Sequence, residues 1–460
     1  KMRRNPLRIL LLAWLVGATS HAQERYMDVV QKHRRPQFYA EFVALPASRF
    51  DSVRLAGQVK LSYDNSFFVK TPDGKFSTDL TFSVEALQKN VAVARKIERK
   101  TVVVGSHEET TNRNEFVEAT FFLPLKKGDY ELAVEVTNND LQKSLRMERL
   151  TLQLSKEIVA SKAGNVKLSQ PFFVTRPKFF GDSLRLQPLG ASGNGAFGRD
   201  FIAAIYAHLE DDSLKEASYQ LFEKRDNREI FVSSRTLSPK ELLYVSELRE
   251  TSDRAAFAAK RQNAPSARLL ALADFNAKAI GNARYVLKVN FLTQKGENLE
   301  TKKEFDNAWI DMPYPLYDIE LATRLMEGIM LASEEAKEIL DGNPNEQRRK
   351  FLAFWKTHDP TPDTEFNEAL EEYFRRVDYA FFNFYTNREY GWRTDRGKVY
   401  IRFGKPTEIT REFPSNRPTR EIWIYKNLNK RFVFSDLSNT GNYELISEST
   451  LEPEELSNPN

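Results

Sequence analysis

The sequence contains no cysteine and few histidines, and these absences exclude several kinds of chemistry. Without a thiol the chain cannot form disulfides, thiolate metal sites or a cysteine nucleophile. No His-Glu-x-x-His sequence and no pair of histidines at ligand spacing occurs, which argues against a zinc enzyme. Gly-x-Ser-x-Gly and the calcium-loop pattern are also missing. We therefore predict no metal, no cofactor and no marked catalytic residue.

Most of the chain also carries no excess of positive or negative charge. The formal net charge of +4 comes entirely from residues 1–22, which carry four basic side chains and no acidic one. The remaining residues balance at 64 basic and 64 acidic side chains. A balanced chain has no global attraction to nucleic acid or to an anionic membrane. We predict that nucleic acid is not a partner.

One apolar run stands out, and it lies near the start of the sequence. Residues Ile9–Val16 follow a basic lead, and Ser20-His21-Ala22 places small residues three and one before a cleavage point. This pattern is typical of a secretory signal peptide at residues 1–22, cleaved after Ala22. No later segment approaches the ~20 apolar residues that span a bilayer. We expect a chain that is soluble after cleavage and lies in the periplasm or outside the cell.

Short strands separated by turn sequences fill the first part of the chain after a lead-in at residues 23–37. Strands are predicted at residues 54–63, 79–84, 101–104, 116–123 and 130–136. Pro72-Asp73-Gly74 and Lys127-Gly128-Asp129 are typical turn residues between them. This spacing predicts an immunoglobulin-like β-sandwich at residues 38–155, and Gly128-Asp129-Tyr130 suits a tyrosine corner.

A strand motif recurs about one domain length further along the chain. Tyr130-x-Leu132-x-Val134 returns as Tyr285-x-Leu287-x-Val289, with glycine a few residues upstream of each tyrosine. The recurrence predicts a second, tandem all-β sandwich at residues 164–311. The polar segment 155–165 between them fits either a linker or a shared strand.

The apolar period changes from two to 3.6 after Pro313-Tyr314-Pro315. Helices are predicted along the stripe 319–330, at residues 346–356, and from a cap at Thr361 to Phe384. Strands are predicted beyond Gly391, at residues 398–403, 421–425, 431–435 and 443–446. Helices followed by a small antiparallel sheet indicate an α+β domain at residues 313–446, and residues 447–460 are expected to be a disordered acidic tail. The predicted fold is therefore multidomain, with two tandem all-β immunoglobulin-like sandwiches followed by an α+β domain.

The most strongly patterned segment is Gly391-Trp392-Arg393-Thr394-Asp395, which continues as Arg396-Gly397-Lys398-Val399-Tyr400-Ile401. His358-Asp359-Pro360-Thr361-Pro362 precedes it. With these residues the last third of the chain resembles the GWxTD domain family. The resemblance implies a place among secreted bacterial proteins, and it implies no defined biochemical activity.

The same segment is the best candidate for a site. Its side chains could form a polar cleft with an aromatic floor that binds a peptide, a sugar or a carboxylate. The candidate residues are Trp392, Arg393, Thr394, Asp395 and Arg396, joined in space by His358, Asp359 and Arg376. The alternative, which the residue types favour, is that the segment only stabilises the fold, and we call this role a structural pin. In this role Trp392 fills the core, and Thr394 or Asp395 caps backbone amides in the turn.

Two other patterns have a functional and a structural interpretation. His358 and Asp359 could form an acid/base pair, but adjacent residues rarely face one another, and the segment reads more simply as a helix stop. Residues 193–198 match the dinucleotide pattern Gly-x-Gly-x-x-Gly. Their β-rich surroundings favour an inter-strand loop, because a nucleotide site needs a strand before the glycines and a helix after them.

These observations support two hypotheses about function. The first is a binding or scaffolding module of the bacterial envelope that contacts an envelope protein or a glycan. The second is an envelope hydrolase of glycan or peptide with its site at the Gly391–Asp395 segment. Two carboxyl groups about 5 to 9 Å apart in an open pocket would favour the hydrolase. A buried Trp392, with Asp395 bonded to backbone amides, would count against it.

Overall fold

The computed structural model describes residues 25–451 except 34–36, 48, 50, 114, 211–212, 227, 252–255, 264–265, 277, 279, 388, 414, 416–417 and 439. The chain forms two compact units, one of residues 36–310 and one that joins residues 311–460 to residues 1–35. The expected signal peptide and residues 452–460 of the expected tail lie outside the described residues. Within the described part of the chain, no helix has the length and apolarity needed to cross a membrane.

The first unit begins with a β-sandwich. Its strands are β1 (Tyr39–Pro46), β2 (Ser52–Ser62), β3 (Val69–Lys70), β4 (Phe76–Gln88), β5 (Val91–Val104), β6 (Phe116–Lys126), β7 (Asp129–Asn138), β8 (Lys143–Arg146) and β9 (Leu150–Gln153). One sheet has the order β1-β2-β6, and the other has the order β3-β4-β7-β8 with β5 on β4 and β9 on β7. Alternate side chains from both sheets, such as Phe82, Phe121 and Leu132, meet in one core. The five predicted strands are confirmed.

The second sandwich follows at once. Its strands are β10 (Ile158–Ala160), β11 (Val166–Ser169), β12 (Phe172–Val174), β13 (Lys178–Phe180), β14 (Ser183–Leu186), β15 (Gly195–Ala196), β16 (Phe201–Leu209), β17 (Leu214–Arg225), β18 (Arg228–Thr236), β19 (Leu242–Tyr244), β20 (Arg249–Glu250), β21 (Phe257–Lys260), β22 (Arg268–Phe275), β23 (Ala283–Thr293) and β24 (Asn298–Ala308). The main sheets are β15-β24-β23-β17-β18 and β10-β11-β16-β22-β19, with β12 on β16. A small third sheet has the order β13-β14-β21-β20.

The two sandwiches share structure where they meet. Strand β10 pairs with β11 of the second sandwich, while its Ile158 packs into the core of the first. Segment 155–165 therefore contains a shared strand, which is the second of the two alternatives considered. Strand β16 is buried along its whole length. One face of β16 packs in the second sandwich, and the other packs in a further core with Val43 and Leu45 of β1.

Each sandwich contains a tyrosine corner at the recurring motif. The Tyr130 hydroxyl donates to the Lys126 carbonyl at 3.0 Å, and the Tyr285 hydroxyl donates to the Gly281 carbonyl at 3.2 Å. Both tyrosines are buried near the start of an inner strand, β7 or β23, whose alternate residues face the core. The corner expected at Tyr130 is confirmed, and the recurrence identifies equivalent strands of two immunoglobulin-like sandwiches.

The second unit is an α+β domain. Its helices are α1 (residues 25–32), α4 (Ile319–Met326), α5 (Ser333–Leu340), α6 (Pro344–Lys356), α7 (Glu368–Asn383) and α8 (Asp395–Phe403). The numbers α2 (His107–Thr110) and α3 (Leu154–Glu157) belong to single turns in the first unit. The strands β25 (Glu408–Glu412), β26 (Arg420–Tyr425), β27 (Lys430–Ser435) and β28 (Glu444–Ser449) form an antiparallel meander. Helices and sheet share one core around Trp355, Phe374 and Trp423.

Three predictions about this unit are wrong at the level of single elements. The helix expected along residues 319–330 ends at Met326, so that Ile329 and Met330 lie in the turn after it. Residues 398–403 are helix α8 and not a strand, because Thr394 caps the segment and Gly404 ends it at a φ of +79°. Helix α7 begins at Glu368 and not near Thr361. The cap is Asn367, whose Oδ1 accepts from Leu370 N while its Nδ2 donates to the Trp355 carbonyl. Helix α5 and strand β25 were not predicted.

The ends of the described chain also differ from the expectation. Residues 25–32 are helical, and the buried Tyr26 stacks on Phe381 with ring centroids 4.0 Å apart and donates its hydroxyl to Asp378. The described residues 25–33 of the expected lead-in therefore belong to the α+β domain. At the other end, residues 447–449 complete β28 instead of starting a tail, and Leu451 is buried against the sheet.

We predict that Tyr130→Phe and Tyr285→Phe each lower the free energy of unfolding by about 1 kcal/mol, because each removes one partly buried hydrogen bond while keeping the ring. Urea unfolding of each variant measures this change. The control is Tyr385→Phe, whose side chain is 69% exposed and is expected to change stability by less than about 0.5 kcal/mol. Equal effects in all three variants would contradict the assignment of two corners.

Candidate functional site

Two glycines bring helix α7 and helix α8 together at the patterned segment. A Cβ at position 391 would lie 1.8 Å from the Ala380 carbonyl oxygen. A Cβ at position 397 would lie 1.8 Å from the carbonyl oxygen of Gly391 itself. The backbone of the segment is thus packed on α7 on one side and on the first turn of α8 on the other. Only glycine fits at either position.

The remaining residues of the segment are engaged in local structure. Trp392 is 9% exposed and lies in the core, with the Arg393 guanidinium carbon 4.9 Å from the centroid of its ring. The Thr394 hydroxyl donates to the Gly391 carbonyl at 2.8 Å and accepts from Gly397 N at 3.1 Å. Asp395 Oδ2 accepts from Leu445 N at 2.9 Å and so attaches α8 to β28. This geometry agrees with the structural pin.

Arg396 takes part in a buried charge cluster. Its Nη1 lies 3.5 Å from Oε1 of Glu421, a residue that is 2% exposed. Glu421 also accepts from Trp423 Nε1 and from Arg411 Nε, both at 2.8 Å. The guanidinium carbon of Arg396 lies 4.3 Å from the centroid of the Tyr443 ring. The cluster connects α8 to the sheet, and sequence reasoning did not identify Glu421.

His358 and Asp359 do not form a pair. His358 Nδ1 lies 3.1 Å from the Phe354 carbonyl oxygen and 3.0 Å from the Thr357 hydroxyl. Asp359 accepts from Thr361 N at 2.9 Å and lies 3.2 Å from Lys356 Nζ. Asp359 therefore stabilises the turn after α6, as the helix-stop interpretation predicts, and nothing in this arrangement lets it orient the imidazole.

The glycine-rich segment 193–198 is an inter-strand loop, as its surroundings predicted. It contains the short strand β15 and leads into β16 instead of a helix. The carboxylate of Glu41 accepts hydrogen bonds from the backbone of Ala191 and Gly193. Burial raises the pKa of the Glu41 carboxyl, and the Lys303 charge and these amides oppose the shift. Backbone amides that could hold a phosphate thus hold a side chain of the protein itself.

A cavity of about 420 Å³ opens in the α+β domain between α6, α7 and α8. It is lined by Ile329, Met330, Trp355, His358, Ala369, Glu372, Tyr373, Arg376, Ile401 and Arg402. Two of the eight candidate residues, His358 and Arg376, therefore lie together here. The other six candidates do not line this cavity. Residues 395 and 402 are separated by two turns of α8, which places the two regions roughly 10 Å apart along its axis.

The polar groups of the cavity are partly engaged. Arg376 Nε donates to Glu372 Oε1 at 2.7 Å, and Arg402 Nη2 donates to the Ile329 carbonyl at 3.1 Å. The Tyr373 hydroxyl donates to the Leu325 carbonyl at 3.2 Å. Burial raises the pKa of Tyr373, and the Arg402 charge lowers it, so this phenol stays protonated at neutral pH. The buried Trp355 Nε1 has no acceptor among the described residues.

Sequence reasoning missed most of this lining for identifiable reasons. Trp355 and Tyr373 lie on the apolar faces of their helices, where a side chain is expected to belong to the core. Arg402 was assigned to a strand, whose alternation would not bring it beside α7. A useful signal in the sequence is the pair Glu372 and Arg376, whose spacing of four residues places both side chains on one face of α7.

Residues 292–457 match the family model of the GWxTD domain. The carboxy-terminal part of this chain is a GWxTD domain. The match covers a little over a third of the chain and includes every residue of the α+β domain named above from α4 to β28. No curated protein sequence matches the chain.

Solved structures align with the chain only distantly. A transglutaminase from red sea bream is 11% identical over 61% of this chain, with a TM-score of 0.14, and the chain spans 33% of its length. Astrotactin-2, a vertebrate-specific perforin-like membrane protein, is 7% identical over 91% of this chain and 88% of its own, with a TM-score of 0.20. A β-glucuronidase from Parabacteroides merdae is 10% identical over 56% of this chain and 28% of its own, with a TM-score of 0.17. Similarities this low support no conclusion about activity.

We predict that Gly391→Ala and Gly397→Ala each destabilise the GWxTD domain by about 3 kcal/mol or more, because the added methyl group overlaps a backbone carbonyl that cannot move away. Chemical unfolding followed by tryptophan fluorescence measures the loss. The control is Gly441→Ala, where φ is +81° but no atom lies within 4 Å of the added Cβ. It is expected to lose only about 1 kcal/mol. A similar loss in all three variants would rule out the close approach as the cause.

We also predict that Glu421→Gln destabilises the GWxTD domain by about 3 kcal/mol, because it leaves the largely buried guanidinium of Arg396 without a countercharge. Thermal and urea unfolding measure the change. Glu408→Gln is the matched control in the same sheet. Its carboxylate lies 3.9 Å from Lys426 Nζ at a more exposed position, and its loss is expected to cost less than about 1 kcal/mol. A negligible effect at Glu421 would show that the cluster does not hold α8 to the sheet.

Proposed function

We propose that the chain is exported to the bacterial envelope and acts there as a binding module. Support for export is the signal-like sequence of residues 1–22, with its apolar stretch Ile9–Val16 and its cleavage point after Ala22. The mature protein would lie in the periplasm or outside the cell. Two immunoglobulin-like sandwiches joined to a separate domain are an architecture that suits presentation of a binding surface, which is support by analogy.

The main observation in support of a binding function is the cavity between α6, α7 and α8. Its volume of about 420 Å³ is within the usual range of small-ligand sites. Aromatic and aliphatic side chains form most of its wall, and a few polar groups converge on it, which is the common composition of such sites. The ligand that we propose is a low-mass envelope component, such as a glycan fragment or a peptide.

Binding is better supported than hydrolysis. A carboxylate-based hydrolase needs two carboxyl groups on either side of the bond to be cleaved. At the Gly391–Asp395 segment, Asp395 accepts from Leu445 N. Glu421 accepts from Trp423 and Arg411 and forms an ion pair with Arg396, so both carboxylates have structural partners. The cavity is lined by one carboxylate, that of Glu372. Trp392 is buried, which is the arrangement that counts against the hydrolase.

The proposal is tested with residues 23–460 of the chain and a soluble digest of bacterial cell wall. After incubation and gel filtration, native mass spectrometry detects any retained component. The test variant is Ala369→Trp, which fills the cavity with an indole from α7. We expect the unchanged chain to retain a discrete mass and the variant to lose most of it, by about tenfold or more.

The control is Ala353→Trp, the same substitution at an exposed position of the neighbouring helix α6. It should retain the ligand as the unchanged chain does. Circular dichroism checks that both variants are folded. Retention by all three proteins, or by none, would contradict a ligand site in this cavity. Accumulation of shortened products during incubation would instead favour the hydrolase.

A further inference from the structure

The cavity has an excess of positive charge. Arg376 and Arg402 both line it, and the Glu372 carboxylate lies 2.7 Å from Arg376 Nε. Glu372 therefore balances one of the two guanidinium groups. Arg402 makes no ion pair with any residue that the structure describes, and its Nη2 donates only to a neutral carbonyl, that of Ile329. One positive charge is left for a ligand, which favours a monoanion over a neutral molecule or a dianion.

Trp355 contributes an aromatic part of the cavity wall. It is 1% exposed, and its Nε1 has no partner among the described residues. Because this nitrogen has almost no accessible surface, the indole offers a ligand in the cavity an apolar ring surface and no hydrogen bond.

The rest of the wall is apolar. Ile329, Met330 and Ile401 contribute aliphatic surface, and Ala369 leaves space on the α7 side. Methionine is flexible and adapts to irregular shapes, which suits contact with an alkyl chain or a small apolar side chain. A small polar anion such as acetate would leave this surface without a partner. The ligand should therefore carry its charge on an apolar body.

We infer that the cavity binds a monocarboxylate whose acid group is joined directly to an apolar chain. The carboxylate pairs with the Arg402 guanidinium, and the chain lies against Ile329, Met330 and Ile401. The inference rests on the proposed function and names the ligand chemistry of the same site. A free carboxylic acid and the carboxy-terminal residue of a peptide both supply this chemistry, and the experiment separates them.

Isothermal titration calorimetry of residues 23–460 tests the inference with two matched pairs of probes. One pair is octanoate and octanamide, and the other is acetyl-leucyl-leucine with a free or an amidated carboxy terminus. We expect each acid that binds to bind at least tenfold more tightly than its amide. Tighter binding of octanoate would indicate a free acid as the source, and tighter binding of the dipeptide acid would indicate a peptide terminus.

Variants at Arg402 show whether its charge is responsible. Arg402→Gln should abolish the preference for acid over amide, and Arg402→Lys should keep at least part of it, because a cation remains. Arg348→Gln, at an exposed position of α6, should leave all affinities unchanged. Circular dichroism accompanies each titration to exclude loss of the fold.

Equal affinity for an acid and its amide, or an unchanged preference in Arg402→Gln, would overturn the inference. Failure of all four probes to bind would overturn it too. If Ala369→Trp still removes a retained cell-wall component in that case, the proposed function stands and only the ligand class is wrong. If no ligand of any kind needs the cavity for binding, both the proposed function and the inferred ligand class are wrong.

Discussion

The carboxy-terminal domain depends on one close approach of backbone to backbone. Gly391 lies against the Ala380 carbonyl of α7, and Gly397 lies against Gly391, so that a methyl group at either position would come within 1.8 Å of an oxygen atom. This contact sets the distance and angle between α7 and α8. The Thr394 side chain bonds both glycines and starts α8 at the same point. The signature residues are therefore explained by geometry, because each side chain or missing side chain has a structural partner.

The position of the cavity follows from that contact. Helix α8 begins at the glycine contact and ends beside α7, where Arg376 Nη1 lies 3.4 Å from the carbonyl oxygens of Ile401 and Arg402. Asp395 and the Arg396–Glu421 cluster hold the other side of α8 to the sheet. With both ends held, Ile401 and Arg402 face Trp355 and Tyr373 across a space that the core does not fill. The Gly391–Asp395 segment thus fixes the position of the cavity, although none of its residues line it.

The β-rich unit shows which sequence signals are reliable and why. Alternation and turn residues located the strands of the first sandwich, because one face of each sheet is buried and the other is not. The recurring Tyr-x-Leu-x-Val motif located equivalent strands in both sandwiches, since the corner requires a tyrosine beside a turn. By contrast β16 is buried on both faces, so its residues show no alternation and its role between two cores could not be predicted. The glycine-rich loop 193–198 matched a nucleotide pattern, although the amides of Ala191 and Gly193 bind the Glu41 carboxylate.

The sequence by itself determined the order of domains, two β-sandwiches followed by helices and a small sheet, because period, turn residues and caps are local properties. It also determined that thiol chemistry is absent. Only the tertiary structure decided that residues 398–403 form a helix, because the alternation of valine, isoleucine and phenylalanine there fits a strand until Gly397 is packed on Gly391. Only the tertiary structure placed His358 and Arg376 beside Trp355 and Arg402, since these residues come from three helices and the turn after α6 and meet through packing that no local pattern encodes.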